Sequence, residues 1–387
     1  MLLDCQQDAF AWRGLARVLS QEPVEGGGVD VVLDATLLYP EGGGQPSDHG
    51  TIAGLPVLGL RRREDGQVLH RLAQPVEGEV MVVVDGARRF DHMQQHTGQH
   101  LLTAVAERDR GWATTAFHLG PERCDIELDT PALSISDMAA LEAACNQIIR
   151  EARPVTPRVV TPAELARLGA RSRGLPEGLV GPIRLVEIAE LDLNTCGGTH
   201  VSSTAQLQAL KLTHTERLRG GTRLHFWVGG RVLSALGRAL GVQQELTRLL
   251  NTGPEDHLAA LERICDEHRQ SSKALQALRV ELAAALGAAL AEGGEPVLAL
   301  HRDEADMVFL NAVASAALAR RPDALVWLTA GGAEGVFLLA GPEAQVKALG
   351  PQVAARIEGR GGGARGRFQG KASRLGARDE VLALLRG

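Results

Sequence analysis

The sequence predicts an α+β protein assembled from consecutive parts. Three observations carry this expectation. Residues up to about 85 are β-rich and broken by Gly/Pro clusters, residues 231–293 form an Ala/Leu/Glu/Arg-rich helical stretch, and the segment from 294 onward alternates strand-length and helix-length runs. A chain of 387 residues suggests two to three domains from length alone. Composition shifts divide it more finely, into 1–88, 89–230, 231–293 and 294–387.

In chain order, Val29, Val31 and Leu33 alternate with other residues, as a half-buried strand requires. Glu64-Asp65-Gly66 is a hairpin turn between strands over Val57–Arg63 and Gln67–Arg71, and Val80–Val84 is a further β-branched strand. Tyr39 to Pro46 cannot be regular structure, because Gly42, Gly43 and Gly44 permit φ > 0 and let backbone approach a ligand closely. A helix is expected from about Asp91 to Glu107, with Leu101, Leu102 and Val105 facing a core. A second runs from near Asp137 to about Arg150. A third starts at Thr161-Pro162-Ala163-Glu164, which combines a capping box with proline at the first helical position. Ile183–Ile188 reads as β, followed by a Cys-Gly-Gly turn and strands near Leu207–Thr213 and Thr222–Val228.

Asn251-Thr252-Gly253-Pro254 breaks the helical stretch into a hairpin. Leu261, Leu275, Leu278, Leu282 and Leu286 approximate a heptad seam that His268 and Ser271 interrupt. Packing on a neighbouring helix and an extended coiled-coil dimer both answer to that pattern. Beyond Gly293-Gly294, strands Val297–Leu300, Leu325–Leu328 and Val336–Leu339 with helices near Glu304–Arg320 and Glu343–Glu358 make a small α/β domain. It ends in a flexible Gly-rich loop, Gly359–Gly366, and then Arg367 to Lys371.

Forty-one Lys/Arg against 47 Asp/Glu give a formal charge of -6, which excludes a uniformly basic nucleic-acid coat but leaves room for a local patch. Between Pro351 and Gly387, eight basic residues face three acidic ones. Seven Phe, four Trp and one Tyr are too few for a broad stacking platform. There is no uninterrupted apolar run of about 18 residues, so no membrane span is expected. Met1 to Cys5 carries an early acid and no basic-then-apolar pattern, so no secretory signal is expected. Five scattered cysteines, an odd number, argue for a reducing, cytoplasmic setting.

The sharpest chemical signal is His96-Thr97-Gly98-Gln99-His100 together with Cys196-Gly197-Gly198-Thr199-His200. Residues i and i+4 share a helix face, so His96 and His100 can present two imidazoles to one ion. Cys196 and His200 would add a thiolate and a third imidazole from a turn able to bend around it. Three nitrogens and one sulfur suit a single zinc ion per chain. Thr97 stands where a zinc protease motif has glutamate, so protease chemistry is a poor match.

Gly42-Gly43-Gly44-Gln45, then Gln95 to Leu102, Phe117-His118-Leu119-Gly120 and Cys196 to Val201 together resemble the alanyl-tRNA editing proteins, free-standing relatives of the alanyl-tRNA synthetase editing domain. The resemblance covers roughly residues 25–230. Residues 295–387, with Gly361-Gly362-Gly363 and Arg367 to Lys371, resemble the C-terminal domain of that synthetase, a module also found at the end of some phosphoesterases. The family implies an N-terminal β-barrel, a zinc-containing editing domain, a helical linker and a C-terminal tRNA-binding domain. No stretch reads as an aminoacylation domain. The implied reaction is hydrolysis, in trans and without ATP, of tRNA(Ala) mischarged with serine, with glycine as the second target. An alanine pocket cannot fully exclude glycine and rejects serine weakly, so a second site must remove the errors. That site should offer a polar group to the serine hydroxyl, since an unpaired buried polar group is costly.

Candidate residues follow. Gln45 would hold the substrate or the water, or else bond its own turn. Thr97 would contact the serine hydroxyl, or bond back to a helix carbonyl. His118 would touch the RNA 3′ end or serve structurally. Cys124 reads as a buried thiol, Gln99 as a change in pocket shape and Asp48 as a turn residue. Gly42, Gly43 and Gly44 would line the substrate, and Arg365, Arg367 and Lys371 would contact phosphates. The ester is already activated, so positioning and polarisation suffice, and no general base is assigned. The competing readings are a non-catalytic, zinc-stapled tRNA-binding module and, last, a phosphoesterase, for which no clustered Asp/His set for two metals is evident. A dimer through the C-terminal half is one expectation for assembly.

Overall fold

The computed structural model describes residues 3–171 and 181–387; Met1 and Leu2, which contributed to the reading of the N-terminus, lie outside them. The fold is mixed α+β, in two compact units, Met1–Gln244 and Glu245–Gly387.

The first unit opens with a short helix α1 (Asp4–Gln7) and strands β1 (Arg13–Pro23), β2 (Val29–Leu33), β3 (Gly50–Ile52), β4 (Leu55–Pro56), β5 (Gly59–Arg62), β6 (Val68–Leu72) and β7 (Glu79–Val84). They form one seven-stranded sheet in the order β4-β3-β7-β1-β2-β6-β5. Its two edge strands are joined by only two residues. Val57 donates to the Gly50 carbonyl at one edge and Leu58 to the Arg71 carbonyl at the other, so the sheet curls towards itself. β2 departs from the half-buried expectation: all five residues are buried. Asp30 is tolerated there because Arg71 bonds it at 2.6 Å. The Glu64-Asp65-Gly66 turn does join β5 to β6.

Helix α2 (Gly86–Arg110) follows, longer at both ends than expected because Asp85 caps its start and Gly111 ends it in the left-handed conformation. Then come β8 (Thr114–Leu119), β9 (Cys124–Leu128), α3 (Ile135–Arg150), β10 (Val155–Val160), α4 (Pro162–Leu168), β11 (Ile183–Ile188), β12 (Asp192–Thr195), β13 (Leu210–Leu218), β14 (Gly221–Val228) and α5 (Gly230–Leu250). The capping box at Thr161 and Glu164 is present. One sheet runs β13-β14-β9-β8 and another β10-β11-β12. Leu101, Leu102 and Val105 of α2 join Ile126, Leu224 and Phe226 in the main core. α2 is tied to the curled sheet by a fully buried ion pair, Arg89 with Asp48. Arg89 also donates to the Leu37 and Ala9 carbonyls, and Asp48 accepts from Tyr39 N.

The second unit contains α6 (His257–Glu292), β15 (Val297–Arg302), α7 (Met307–Arg320), β16 (Leu325–Gly331), β17 (Gly335–Ala340), α8 (Glu343–Arg356), β18 (Gly359–Gly362), β19 (Arg367–Ala372) and α9 (Arg378–Arg386). Its sheet runs β15-β16-β17-β19-β18, with β15 and β16 parallel. The Gly-rich segment is not a free loop: it is half of a hairpin. A Cβ on Gly370 would lie 2.1 Å from the Arg360 carbonyl oxygen, so glycine serves close backbone approach rather than mobility. In α6, Ala283 and Leu286 pack with α7, while Leu275, Leu278 and Leu282 of the heptad-like seam stay exposed. No uninterrupted apolar run of about 18 residues occurs, but α6 is long and apolar enough to cross a membrane by length and composition. A window of it reaches a mean hydropathy of 1.4 and is 11% buried, which meets the length and composition requirement. Arg279 and Glu281 interrupt the run, but the surrounding alanines and leucines keep the average high.

Two stability measurements follow. Asp48→Ala strands the Arg89 guanidinium, so chemical denaturation should show a loss of about 3–5 kcal/mol, and the paired replacement Asp48→Leu with Arg89→Met should recover most of it. His92 is 3% exposed with an unpartnered Nδ1, and burial lowers its pKa from 6.5 to about 4. The unfolded chain takes up that proton below pH 6.5 while the native state refuses it until about pH 4. Stability should therefore fall with decreasing pH across that window, by at most about 1.4 kcal/mol per pH unit from this residue. His92→Gln should flatten the slope; an unchanged slope would contradict the assignment.

Candidate metal centre

His96 and His100 sit one turn apart in α2, so both imidazoles leave the same face. Opposite them, the loop after β12 carries Cys196 and His200. The donor atoms of these four residues all lie within 4.8 Å of one another. Cys196 Sγ is 3.4 Å from His96 Nε2 and 3.2 Å from His200 Nε2. Two sequence-distant pairs thus converge on one point.

Two of the three rings are hydrogen-bonded from behind, and the third faces a carboxylate. His96 Nδ1 donates to Gln45 Oε1 at 2.9 Å, His200 Nδ1 to Thr97 Oγ1 at 3.0 Å, and His100 Nδ1 faces Asp192 Oδ2 at 3.6 Å. A neutral imidazole that donates through Nδ1 keeps its lone pair on Nε2, directed at the cluster. The loop is held too. Arg184 Nη1 donates to the carbonyls of Cys196 and Gly198, both at 2.8 Å, and Gln6 Nε2 donates to the Gly197 carbonyl at 2.8 Å. Gly198 has no substitute here: a Cβ would lie 2.2 Å from His96 Cε1.

Burial pushes the Cys196 thiol up, but the three imidazoles around it outweigh burial and hold it well below its ordinary value. Burial lowers His100, yet the Cys196 thiolate and Asp192 outweigh that and raise it to about 9. Burial drives His200 down to about 3 despite the thiolate. The donor set therefore favours a thiolate, the state a metal ion requires, and holds on His100 a proton that a bound ion would displace.

A cavity of about 400 Å³ opens beside this cluster, lined by Gly43, Gly44, Phe117 and Thr195 together with His96, His100 and Cys196. Gly43 and Gly44 have φ of 58° and 82°, as a triple-glycine turn allows, whereas Gly42 is paired with Gln45 across the turn and does not line the cavity. Gln45 is fully buried behind His96, where its Nε2 donates to Thr199 Oγ1 at 2.8 Å and its Oε1 accepts from Thr199 N at 3.0 Å. Thr97 is likewise fully buried and accepts from Val201 N. Both stand one layer back from the cavity, holding ring nitrogens. His118 is not brought to the cluster. Strand alternation puts it on the face of β8 opposite Phe117, bonded at 2.8 Å to Asp125.

Cys124 is a buried thiol, its pKa pushed up to about 12 by burial. Gln99 bonds Thr103 and lines a separate cleft. In the second unit, Arg367 spends its guanidinium on Asn311 and Ser315 of α7, both at 2.6 Å. Lys371 stands opposite Arg360, and Arg365 is exposed at φ 53°.

Sequence reasoning missed Asp192, Arg184 and Phe117, because nothing local marks residues that meet the histidines only through the fold. It also missed a larger cleft of about 690 Å³, lined by Arg123, Trp227, Arg231 and Arg238 beside Asp91 and Glu122. Arg231 is locked onto Asp91 at 2.7 and 2.8 Å, while Arg123 and Arg238 form no ion pair among the described residues. Three of the four donors, His96, His100 and Cys196, line the smaller cavity, and donor chemistry rather than volume marks it as the candidate centre.

Gln45→Ala removes the acceptor behind His96 without touching the cluster itself. Competition against a chelator should show metal affinity about 10–100-fold weaker; unaltered affinity would contradict the ring-holding role.

Residues 183–224, from β11 through the Cys196–His200 loop into β14, match the family model for the threonyl and alanyl tRNA synthetase second additional domain. The alanyl-tRNA editing protein Aarsd1-A of Xenopus laevis is 40% identical over 407 residues, which span 100% of this chain and 97% of the relative. Aarsd1 of Rattus norvegicus is 42% identical over 402 residues, 98% of this chain and 96% of its own. The alanine–tRNA ligase of Halorubrum lacusprofundi is 33% identical over 282 residues, which is 69% of this chain but 30% of the ligase. Matched along its whole length at this identity, the chain belongs to the alanyl-tRNA editing protein family.

Proposed function

We propose that this protein is an aminoacyl-tRNA hydrolase that removes serine, and glycine as a second target, from mischarged tRNA(Ala). One zinc ion would be held by His96, His100, Cys196 and His200. The observation that carries the reading is the convergence of these four donors beside a cavity of about 400 Å³, with His96, His100 and Cys196 on its wall, a volume that suits a single aminoacyl end.

The chain's own contribution is positional. Gln45, Thr97 and Asp192 orient the three rings, and Arg184 and Gln6 hold the loop that brings Cys196 and His200 to them. Gly43 and Gly44 leave the cavity wall without side chains, so backbone can approach the ester. Phe117 packs against Gly44 and excludes water from one side. Zinc, when bound, would supply polarisation of the ester carbonyl or an anchor for the substrate's amino end. Arg123 and Arg238 beside the second cleft, with Arg360, Arg365 and Lys371 in the second unit, would meet phosphates by charge and read no bases.

The second reading, a zinc-stapled tRNA-binding module without turnover, draws on one observation: four protein donors form a closed set, as structural zinc sites do. Deacylation separates the two. Purified protein should release serine from Ser-tRNA(Ala) well above a protein-free control and leave Ala-tRNA(Ala) largely intact. Binding of the tRNA with no loss of the seryl ester would establish the module instead.

A further inference from the structure

The four-stranded sheet β13-β14-β9-β8 buries Leu224, Phe226 and Ile126 on one face. By strand alternation, Arg223, His225, Asp125 and Glu127 point to the other. The register between β13 and β14 is shifted between Leu212 and Thr215, a bulge that brings His214 alongside Glu216 and against His225. The His214 and His225 rings stack at 4.2 Å and 3°, so the exposed His214 ring has to turn out of the stack for both Nε2 lone pairs to meet one ion. One donor atom from each of His214, Glu216 and His225 lies within 4.8 Å of the others.

The hydrogen bonds fix what those atoms are. Thr213 Oγ1 donates its single proton to the His225 carbonyl at 3.3 Å, so it accepts from His214 Nδ1 at 3.0 Å. That leaves His214 Nε2 facing Glu216 Oε1 at 3.9 Å, beyond hydrogen-bond distance. His225 Nε2 is 3.3 Å from the same oxygen without a hydrogen bond. His225 is 7% exposed and both its ring nitrogens are unpartnered, which is costly for a buried polar group. Around the set, Asp125, Glu127 and Glu216 face the single guanidinium of Arg223 at 3.3, 2.6 and 3.6 Å, and Asp125 is also bonded to His118 at 2.8 Å, so carboxylates outnumber the arginine that faces them.

We propose that His214 Nε2, His225 Nε2 and Glu216 Oε1 bind a second divalent metal ion, of the zinc, cobalt and nickel class. Two imidazoles and one carboxylate, with further positions open to water, suit these borderline ions. Thr213 supplies the backing bond that metal-bound histidines normally have. A divalent charge neutralises the carboxylate excess, and binding pins the bulge of β13 to β14. The sequence offered no such cluster because the ligands come from two strands whose pairing, not their spacing, brings them together.

Cobalt(II) titration of the chelator-stripped full chain tests this. The Cys196 centre gives a thiolate-to-cobalt charge-transfer band, and the second site, with only nitrogen and oxygen donors, gives none. Calorimetry on the same samples counts equivalents. The wild-type chain should take up a second equivalent without added thiolate absorption. His214→Ala and Glu216→Gln change exposed side chains, and each should weaken that equivalent by more than the ~10–100-fold of an outer partner while leaving the thiolate band intact. His225→Gln should do the same, and Cys196→Ser should remove the band and keep the second equivalent. Uptake that stops at the thiolate site, or a second equivalent that survives His214→Ala and Glu216→Gln unchanged, would overturn the proposal.

Discussion

Three imidazoles packed around one thiol in the protein interior is the constraint on which the rest of the first unit depends. Close approach of Cys196 Sγ to His96 and His200 Nε2, at 3.4 and 3.2 Å, is unfavourable for neutral apolar packing and leaves lone pairs facing one another. The arrangement becomes favourable when a cation occupies the middle. Its partners behind the rings, Gln45, Thr97 and Asp192, are all fully or nearly fully buried, so the whole assembly has been desolvated. Desolvated polar networks of this kind stabilise only when every member is matched. That requirement explains why Gly198 tolerates no side chain and why the loop carbonyls around it are all capped.

The surrounding fold supplies rigidity. α2 must present His96 and His100 at a fixed height, and its buried Arg89–Asp48 pair locks it to the curled N-terminal sheet at one end. At the other face, Gly98 allows α2 to lie so close to β14 that a Cβ there would sit 2.4 Å from Val228. The glycine turn at Gly43 and Gly44 and the side chain of Phe117 then close a small cavity against the cluster. Under the proposed function this cavity would take the aminoacyl end of a tRNA, and the physics of discrimination would give it a purpose. A synthetic site sized for alanine is least able to reject the amino acids nearest to it in size.

The four residues of the candidate metal cluster were legible in the sequence because their signal is local: i, i+4 spacing on a helix and two glycines between a cysteine and a histidine. The start of α4 was legible for the same reason, since its capping box marks it. What escaped was long-range. Gln45 and Thr97 were singled out by their neighbours in the chain, but their partners are Thr199 and His200, and only folding turns them from substrate contacts into supports for the rings. His118 follows a recognisable motif, yet the two-residue period of β8 carries it to the far face. β1 and the β8–β9 hairpin lack clean alternation and were not seen. The glycines of the C-terminal segment suggested mobility, whereas backbone approach between β18 and β19 is what requires them.

X-ray absorption at the zinc edge, on full-length protein loaded with a single equivalent of zinc, tests the central claim most directly. The account expects one sulfur at about 2.3 Å and three nitrogens at about 2.0–2.1 Å, with the sulfur lost in Cys196→Ser. A zinc environment without sulfur in the unaltered chain would contradict it.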